Sequence, residues 1–142
     1  MLVASRAMTT TPRERAVLVG VILGGQTRSM IEGHLDELAQ LVDTAGGEAV
    51  ARIIQERSSP DRATFIGKGK VEELAAAVKE FDACMVVFDD DITGSQVRHL
   101  EEGLPEDIKV IDRAGIILDI FASRARSREA QTQVELAQMK YM

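Results

Sequence analysis

The run AVLVGVIL, residues 16–23, contains no charged side chain and is short enough for a β-strand buried on both faces. Such strands are typical of parallel sheets that are covered by helices on both sides. The segments 48–57, 83–88 and 108–112 predict three more strands. The first 112 residues therefore contain four predicted strands.

The segments between these strands repeat apolar residues at helical spacing. A capping box at Ser29–Glu32 begins the first predicted helix, and Gly46 with Gly47 ends it. Thr93 and Gln96 form a second box before the third predicted helix. The three apolar stripes are Ile31, Leu35, Leu38, Val42 and Ala45; Val71, Leu74, Ala75 and Val78; and Val97, Leu100 and Leu104. Strands that alternate with helices predict an α/β fold, with a small parallel sheet of about four strands and helices on both faces.

The pattern changes after residue 112. Residues 113–127 predict a connecting helix, and residues 128–142 contain no helix breaker. A coiled-coil-like seam follows in this last segment, formed by Ala130, Val134, Ala137 and Tyr141. Because no later segment can cover the seam, we expect a longer protein in which a second helix returns along the first. The predicted organisation is a disordered leader (1–13), an α/β domain (14–112), the joint (113–127) and the first helix of a truncated antiparallel pair (128–142).

The composition is that of an ordinary folded domain. With 45% hydrophobic residues, the 142-residue chain can bury a core, and no apolar run approaches the roughly 18–20 residues of a membrane span. The start MLVASRAM lacks the apolar core of a secretory signal, and the single cysteine, Cys84, has no partner for an internal disulfide. We therefore expect a cytoplasmic protein without a membrane span.

Charge is distributed unevenly along the chain. The net charge is −6, with −8 in residues 1–112 and +2 in residues 113–142. An acidic total disfavours a polyanionic partner, but an average of this kind can hide local basic sites. Aromatic residues make up 4% and tryptophan is absent, which disfavours a base-stacking platform of the kind that binds single-stranded nucleic acid.

Three aspartates, Asp89, Asp90 and Asp91, follow the third predicted strand, where ligands of open α/β sheets bind. Clustered carboxylates bind Mg²⁺, so a receiver domain or a metal-dependent nuclease is one interpretation. A receiver would have acidic residues after its first strand, but Gly24–Arg28 contains none. The alternative is that the aspartates are solvated residues before a helix N-terminus. We predict no catalytic residue and no metal site, and these three are the only candidates for a metal.

The histidines and the cysteine are predicted to be structural. His34 and His99 lie on predicted helices with no cysteine or carboxylate at ligand spacing, so we expect exposed helix residues. Cys84 lies within an apolar run and is expected to be a small buried hydrophobic residue.

Two basic sequences are candidate phosphate sites. The first is Gly67, Lys68, Gly69 and Lys70, where glycines permit close backbone approach and lysines add charge beside a helix N-terminus. It is not a P-loop, because Val71 follows where Ser or Thr would bind Mg²⁺, and a flexible lysine-tipped turn is the alternative. The second is Arg124, Arg126 and Arg128. These can bind RNA phosphates or pair with acids of the sheet domain, and the sequence leaves both open.

Three longer strings are more specific than any of these motifs: PDRATFIGKGKVEEL, VVFDDDITGSQVRHLE and VIDRAGIILDIFASRARSREAQTQVELAQMKY. In this order they resemble the N-terminal domain of HflX, a family of ribosome-associated GTPases, over roughly residues 15–142. The resemblance implies an α/β domain, then a pair of long antiparallel helices, then a GTPase domain with the P-loop. GTP and Mg²⁺ are therefore expected for the full-length protein, and no cofactor or GTPase chemistry is expected in residues 1–142.

The resemblance further implies binding to the large ribosomal subunit and splitting of stalled or idle ribosomes. The expected partners are the rRNA of that subunit and the protein's own C-terminal GTPase domain. Lys68 and Lys70 would contact rRNA phosphates, Gly67 and Gly69 would permit the approach, and the three arginines would form a second contact. Two alternatives stay open. One is a Mg²⁺-dependent purine nucleotide site (ATP or GTP) at the strand ends, and the other is a regulatory domain that docks on its own GTPase domain.

Overall fold

The computed structural model describes residues 13–140, and the side chains of residues 13–128. In this part of the chain, strands and helices alternate. The strands are β1 (Glu14–Ile22), β2 (Gly47–Glu56), β3 (Met85–Phe88) and β4 (Lys109–Asp112). The helices are α1 (Arg28–Thr44), α2 (Lys68–Glu80), α3 (Gly94–Gly103) and α4 (Arg113–Lys140). The predicted α/β fold is confirmed, and the predicted leader lies almost entirely outside the described residues.

The four strands form one parallel sheet in the order β2-β1-β3-β4. β1 is an inner strand, and its residues from Ala16 to Ile22 are all buried, which confirms the prediction for the run that begins at residue 16. β2 and β4 are the edge strands and are only partly buried. The chain moves to one side of β1 to form β2 and to the other side to form β3. The order of strands therefore reverses between β1 and β3.

Helices cover both faces of the sheet. One face packs against α1 and the first turns of α4, and its buried residues include Leu18, Leu35, Leu38, Val87 and Ile116. The other face packs against α2 and α3, and its buried residues include Val17, Val19, Leu74, Phe88 and Leu100. Gly20 lets α1 lie close to β1, because a Cβ atom at this position would be 2.7 Å from Ile31 Cγ2. The alternation of side chains along β1 thus supplies both cores.

The helix ends confirm one predicted cap and correct another. The capping box of Thr93 and Gln96 is present at the start of α3. At α1, however, the N-cap is Thr27 and not Ser29: the Met30 amide donates to Thr27 Oγ1 at 3.2 Å. Thr27 has an extended backbone, whereas Ser29 already lies inside the helix, so a side-chain cap two residues earlier satisfies the first amides. Gly46, with φ of +96°, follows the end of α1.

Two further features differ from the local sequence pattern. Cys84 is exposed and not buried, although its neighbours Ala83 and Met85 are buried; it lies one residue before β3, at the amino end of the sheet. The joint at 113–127 and the segment from residue 128 lie within one uninterrupted helix, α4. The side chains of the predicted seam from Ala130 to Tyr141 lie outside those that the structure describes.

The sequence predicts no membrane-spanning segment, and the helices of the structure bear on this prediction. Of the helices in residues 13–140, none is both long enough and apolar enough to cross a bilayer.

Candidate functional site

The carboxyl ends of β1 and β3 meet where the strand order reverses, which is the usual ligand position in open α/β sheets. The loop after β1 turns at Gly25, with φ of +85°, and the Leu23 amide donates to Gln26 Oε1 at 2.9 Å. A cavity of about 300 Å³ lies beside this loop, with Glu56 and Arg57 on its other wall. Its lining includes glycine backbone, the Arg57 guanidinium and a single carboxylate, that of Glu56, so this cavity on the β2 side of β1 has no pair of carboxylates.

The Gly67–Lys70 motif is the beginning of α2 and not a glycine loop. Gly67 is the N-cap, and Lys68 is the first helical residue. The Gly67 amide donates to Gln55 Oε1 at 2.8 Å, so it is already occupied by a side chain of β2. The next backbone amides lie in the first turn of the helix, where amides have no intrahelical acceptor. Phosphate could therefore be bound there by the amides after Gly67, but not by that of Gly67 itself.

The two glycines of the motif are not equivalent. A Cβ atom at Gly67 would lie 2.8 Å from Arg57 Nη1, because the Arg57 and Gln55 side chains pack over this residue. No atom lies within 4 Å of the corresponding position at Gly69. The absence of a side chain thus has a local structural reason at Gly67, while Gly69 leaves the surface open in front of the first turn of α2.

The two lysines are not equivalent either. Lys70 Nζ lies 2.8 Å from Glu73 Oε2, one turn later on α2. Lys68 is exposed and is not part of any ion pair within the described side chains. It borders a cavity of about 480 Å³ between α2 and α3, whose lining includes Thr64, Glu72 and His99. Lys68 is therefore the more available cation of the motif.

The segment before the motif is held by Asp61. Asp61 Oδ1 accepts hydrogen bonds from the amides of Ala63 and Thr64, at 2.8 and 3.0 Å. These bonds from Thr64 and Ala63 hold the pKa of Asp61 below its ordinary value. The turn places Phe65 at φ of +65°, and its ring meets that of Phe88 edge to face, with centroids 6.1 Å apart. The beginning of α2 is thus fixed to the core by an aromatic contact.

The first aspartate after β3 is part of an ion network. Asp89 Oδ1 accepts hydrogen bonds from Nε and Nη2 of Arg113, the first residue of α4. Arg113 Nη2 also donates to the His34 carbonyl at 2.8 Å, and Arg113 Nη1 lies 3.7 Å from Glu37 Oε2. The Asp89 side chain is only 10% exposed. This carboxylate therefore connects the sheet to both α1 and α4, a structural role.

The histidines take different positions. His99 is exposed on α3 as predicted, with Nδ1 2.8 Å from the Ser95 carbonyl oxygen. His34 is partly exposed, and its Nδ1 lies 3.6 Å from Asp89 Oδ2, a contact that no local sequence pattern indicates. Within residues 13–140, no group of three or more His, Cys, Asp or Glu side chains is arranged to hold a metal ion.

The ionised form of the Asp90 carboxyl is disfavoured in the folded protein. Partial burial, together with the neighbouring charges of Asp89 and Asp91, raises the pKa of Asp90 above its ordinary value of 3.8. A raised carboxyl pKa means that the folded state binds the proton more tightly than the unfolded chain does. The resulting loss in the free energy of unfolding is absent below pH 3.8 and is fully present once the pH exceeds the raised pKa of Asp90.

Asp90→Asn is therefore expected to raise the free energy of unfolding at pH 7 and to have little effect near pH 3.5. Urea unfolding followed by circular dichroism at the two pH values measures the difference. Asp91→Asn is the matched control, because Asp91 is exposed and should change stability by less than about 0.5 kcal/mol. An equal gain from Asp90→Asn at both pH values would contradict the electrostatic explanation.

The three arginines lie on the exposed part of α4. Arg124, Arg126 and Arg128 are all exposed, and none forms an ion pair with the described side chains of the sheet domain. Ile116 is the last fully buried residue of this helix within the described side chains. Of the two interpretations left open by the sequence, pairing with acids of the sheet domain is therefore not seen.

The structure does not bring all of the candidate residues together. The start of α2 contacts β2 through Gln55, whereas Asp89 contacts α1 and α4 on the other face. β2 and β3 are separated by β1, a distance of about 10 Å across the sheet. This placement does not support a nucleotide site in which Lys68 binds the phosphates and Asp89 binds the Mg²⁺.

Sequence reasoning missed two residues that organise this edge of the sheet, Gln55 and Arg113. The role of Arg113 could have been predicted. A basic residue directly after the fourth strand can face the acidic residues after the third strand if these two strands are neighbours. Gln55 gave no signal, since its partner is the backbone amide of Gly67, 12 residues away.

Comparison with known proteins identifies the family. The model of the family described as "GTP-binding GTPase N-terminal" matches residues 32–122. GTPase HflX of Lacrimispora saccharolytica is 48% identical over 90% of the chain, and GTPase HflX of Escherichia coli K12 is 43% identical over 91%. The chain spans only 29% of the length of each of these two relatives.

Solved structures share the fold at lower identity. The crystal structure of the SsGBP and GDP complex has a TM-score of 0.58 and 23% identity, and the match covers 90% of this chain and 35% of that one. A GTP-binding protein from Sulfolobus solfataricus in complex with GDP gives the same TM-score and identity, with 36% of its chain covered. Since the family model covers more than half of the sequence, the chain belongs to the GTP-binding GTPase N-terminal family, as the resemblance to HflX predicted.

Proposed function

We propose that residues 1–142 form the ribosome-binding domain of an HflX-type GTPase. In this proposal the domain contacts rRNA phosphates of the large subunit and takes part in the splitting and recycling of stalled or idle ribosomes in the cytoplasm. GTP and Mg²⁺ would be bound by a different domain of the full-length protein, because the sequence has no P-loop pattern.

The observation that carries the proposal is the set of exposed basic side chains on an otherwise acidic domain. Lys68 lies at the N-terminus of α2, where the helix dipole adds to its charge. Arg124 and Arg128 are exposed on α4, in the part of the chain with a net charge of +2. Phosphate contacts need only local cations, since affinity for a polyanion rises with each phosphate that is neutralised.

The two lysines are expected to contribute unequally. Lys70 is paired with Glu73, and this partly exposed surface pair is worth about 1 kcal/mol, so Lys70 can exchange this partner for a phosphate at some cost. Lys68 has no such competitor among the described side chains. We therefore assign the main phosphate contact of this motif to Lys68, with Lys70 second, and regard Gly69 as the residue that leaves room for the approach.

Lys68→Glu is expected to weaken binding to the large subunit about tenfold and to reduce the salt dependence of binding by about one charge. The measurement is co-sedimentation of residues 1–142 with purified large subunits, and with small subunits for comparison, across a series of salt concentrations. Lys70→Glu should have a smaller effect, and the double variant the largest.

Lys79→Glu is the matched control, because Lys79 is exposed at the other end of the same helix and is not assigned to the interface. Equal losses for Lys68→Glu and Lys79→Glu would show a general charge effect and not a site. If the full-length protein binds large subunits equally well with and without the double substitution, the assignment to the start of α2 is wrong.

A further inference from the structure

Helix α4 exposes two large apolar side chains on the surface that faces away from the sheet. Leu118 and Phe121 are 67% and 63% exposed, while Ile116 on the same helix is buried against the sheet domain. At about 100° per residue, Phe121 lies about 140° around the helix from Ile116. Phe121 therefore points away from the core, and its exposure is not explained by packing within the described chain.

The arginines divide around this aromatic ring. Arg128 lies about 20° and Arg124 about 60° from the direction of Phe121, whereas Arg126 lies about 140° away. A shallow recess of the surface is lined by Phe121, Arg124, Ala125 and Arg128, together with two serines of the same helix. One phenyl ring and two guanidinium groups thus share one side of α4.

Arg124 and Arg128 have no acidic residue at the spacing of a helical ion pair. The positions three and four residues from Arg124 and Arg128, in both directions, contain no Asp or Glu. Arg126, in contrast, precedes Glu129 by three residues, which is the spacing of a helical ion pair. The arginines beside the ring are thus the ones that the sequence leaves without a counter-charge at helical spacing.

We propose that Phe121, Arg124 and Arg128 bind one unpaired nucleotide of RNA, with the base stacked on the ring and the flanking phosphates on the guanidinium groups. This inference rests on the proposed function and adds to it an RNA-binding residue and a single-stranded target. Base–aromatic stacking with adjacent cations is the usual chemistry of single-strand binding. An apolar helix of a partner protein fits this surface less well, because its apolar side chains would then lie against the unpaired charges of Arg124 and Arg128.

The low aromatic content is compatible with this assignment. A platform for several bases would need several exposed rings, and with 4% aromatic residues the composition disfavours one. A single ring can hold a single base. We therefore expect a one-nucleotide contact that anchors a strand, with little discrimination between bases, since every base has a π-face.

The absence of tryptophan from the sequence allows a direct test. Phe121→Trp introduces one fluorescent residue at the proposed contact, and Leu118→Trp introduces one at the matched, equally exposed control position. Titration with a short single-stranded oligoadenylate should quench the tryptophan at position 121 strongly and that at position 118 little. A duplex RNA of equal charge should quench neither, because its bases are already stacked.

The same probe tests the arginines. Arg124→Gln with Arg128→Gln should weaken quenching of the Phe121→Trp protein at least tenfold, whereas Lys79→Gln should not change it. In a competition assay with labelled oligoadenylate, Phe121→Ala should weaken binding at least about fivefold. Phe121→Tyr keeps an aromatic ring and should bind as tightly as the unchanged protein.

Three results would overturn the inference: equal quenching at positions 118 and 121, quenching by duplex RNA alone, or no quenching at all. A change in tryptophan emission with protein concentration in the absence of RNA would assign this face to a protein contact and also overturn it. Because the titration contains no ribosomes, its failure is distinguishable from failure of the proposed function: salt-sensitive sedimentation with large subunits but no quenching at position 121 refutes only this inference.

Discussion

Phe88→Ala is expected to lower the free energy of unfolding by about 3–5 kcal/mol, the cost of deleting a fully buried aromatic ring and leaving a cavity. Phe88 is completely buried at the end of β3, and its ring meets Phe65 at an interplanar angle of 86°. The loss would also release Phe65, which fixes the segment before α2. We therefore expect weaker binding through Lys68 in addition to the loss of stability.

Urea unfolding followed by circular dichroism measures this change. Phe121→Ala is the matched control, since the same substitution at a 63% exposed ring should alter stability by no more than about 0.5 kcal/mol. Phe88→Leu should retain part of the packing and cost less than Phe88→Ala. A loss below about 1 kcal/mol for Phe88→Ala would mean that the core on the α2 and α3 face does not depend on this ring.

Arg113→Met is expected to lower the free energy of unfolding by about 2–4 kcal/mol, because it leaves the nearly buried Asp89 carboxylate without its counter-charge. The expected cost is at or below the usual range for a fully buried pair, since the Arg113 side chain is 26% exposed. Arg113 also donates to the His34 carbonyl. Its removal should therefore loosen the base of α4 against α1 as well as the end of β3.

The exposed pair of Arg52 and Asp36 gives the control for this experiment. Arg52→Met removes the same charge from a pair whose side chains are 37% and 69% exposed, so it should cost less than about 1 kcal/mol. Adding Asp89→Asn to Arg113→Met should recover part of the loss, because no uncompensated charge is then left. Equal costs for Arg113→Met and Arg52→Met would show that the Asp89 network is not a stabilising element.

The Arg113 network also bears on function. The arginines that we assign to RNA lie on the same helix, about three and four turns after Arg113. The direction of that helix is fixed where it leaves the sheet, by Arg113 with Asp89 and by Ile116 in the core. A variant that weakens this attachment should reduce subunit binding without any change in the arginines themselves. Co-sedimentation of Arg113→Met with large subunits would measure this effect.

The sequence by itself determined the elements and the family. Short, largely apolar segments predicted the four strands, and apolar residues at helical spacing predicted the helices between them, because both patterns reflect which side chains are buried. The N-cap of α3 at Thr93 and the end of α1 at Gly46 could be predicted from sequence, because the interacting atoms lie within a few residues of each other. Long strings such as VVFDDDITGSQVRHLE carried the family resemblance, which the family model confirms over residues 32–122.

Only the tertiary structure decided which residues meet. Asp89 and Arg113 are 24 residues apart and come together because β3 and β4 are neighbours, and a strand order is not encoded in the periodicity of any single strand. The apolar run around Cys84 predicted burial, but the thiol lies at the amino end of the sheet and is exposed, while Ala83 and Met85 on either side of it are buried. Gly67 looked like part of a phosphate loop, yet its amide is taken by Gln55 of an adjacent strand. Local patterns report the environment of an element, whereas partners across the sheet depend on how the elements pack.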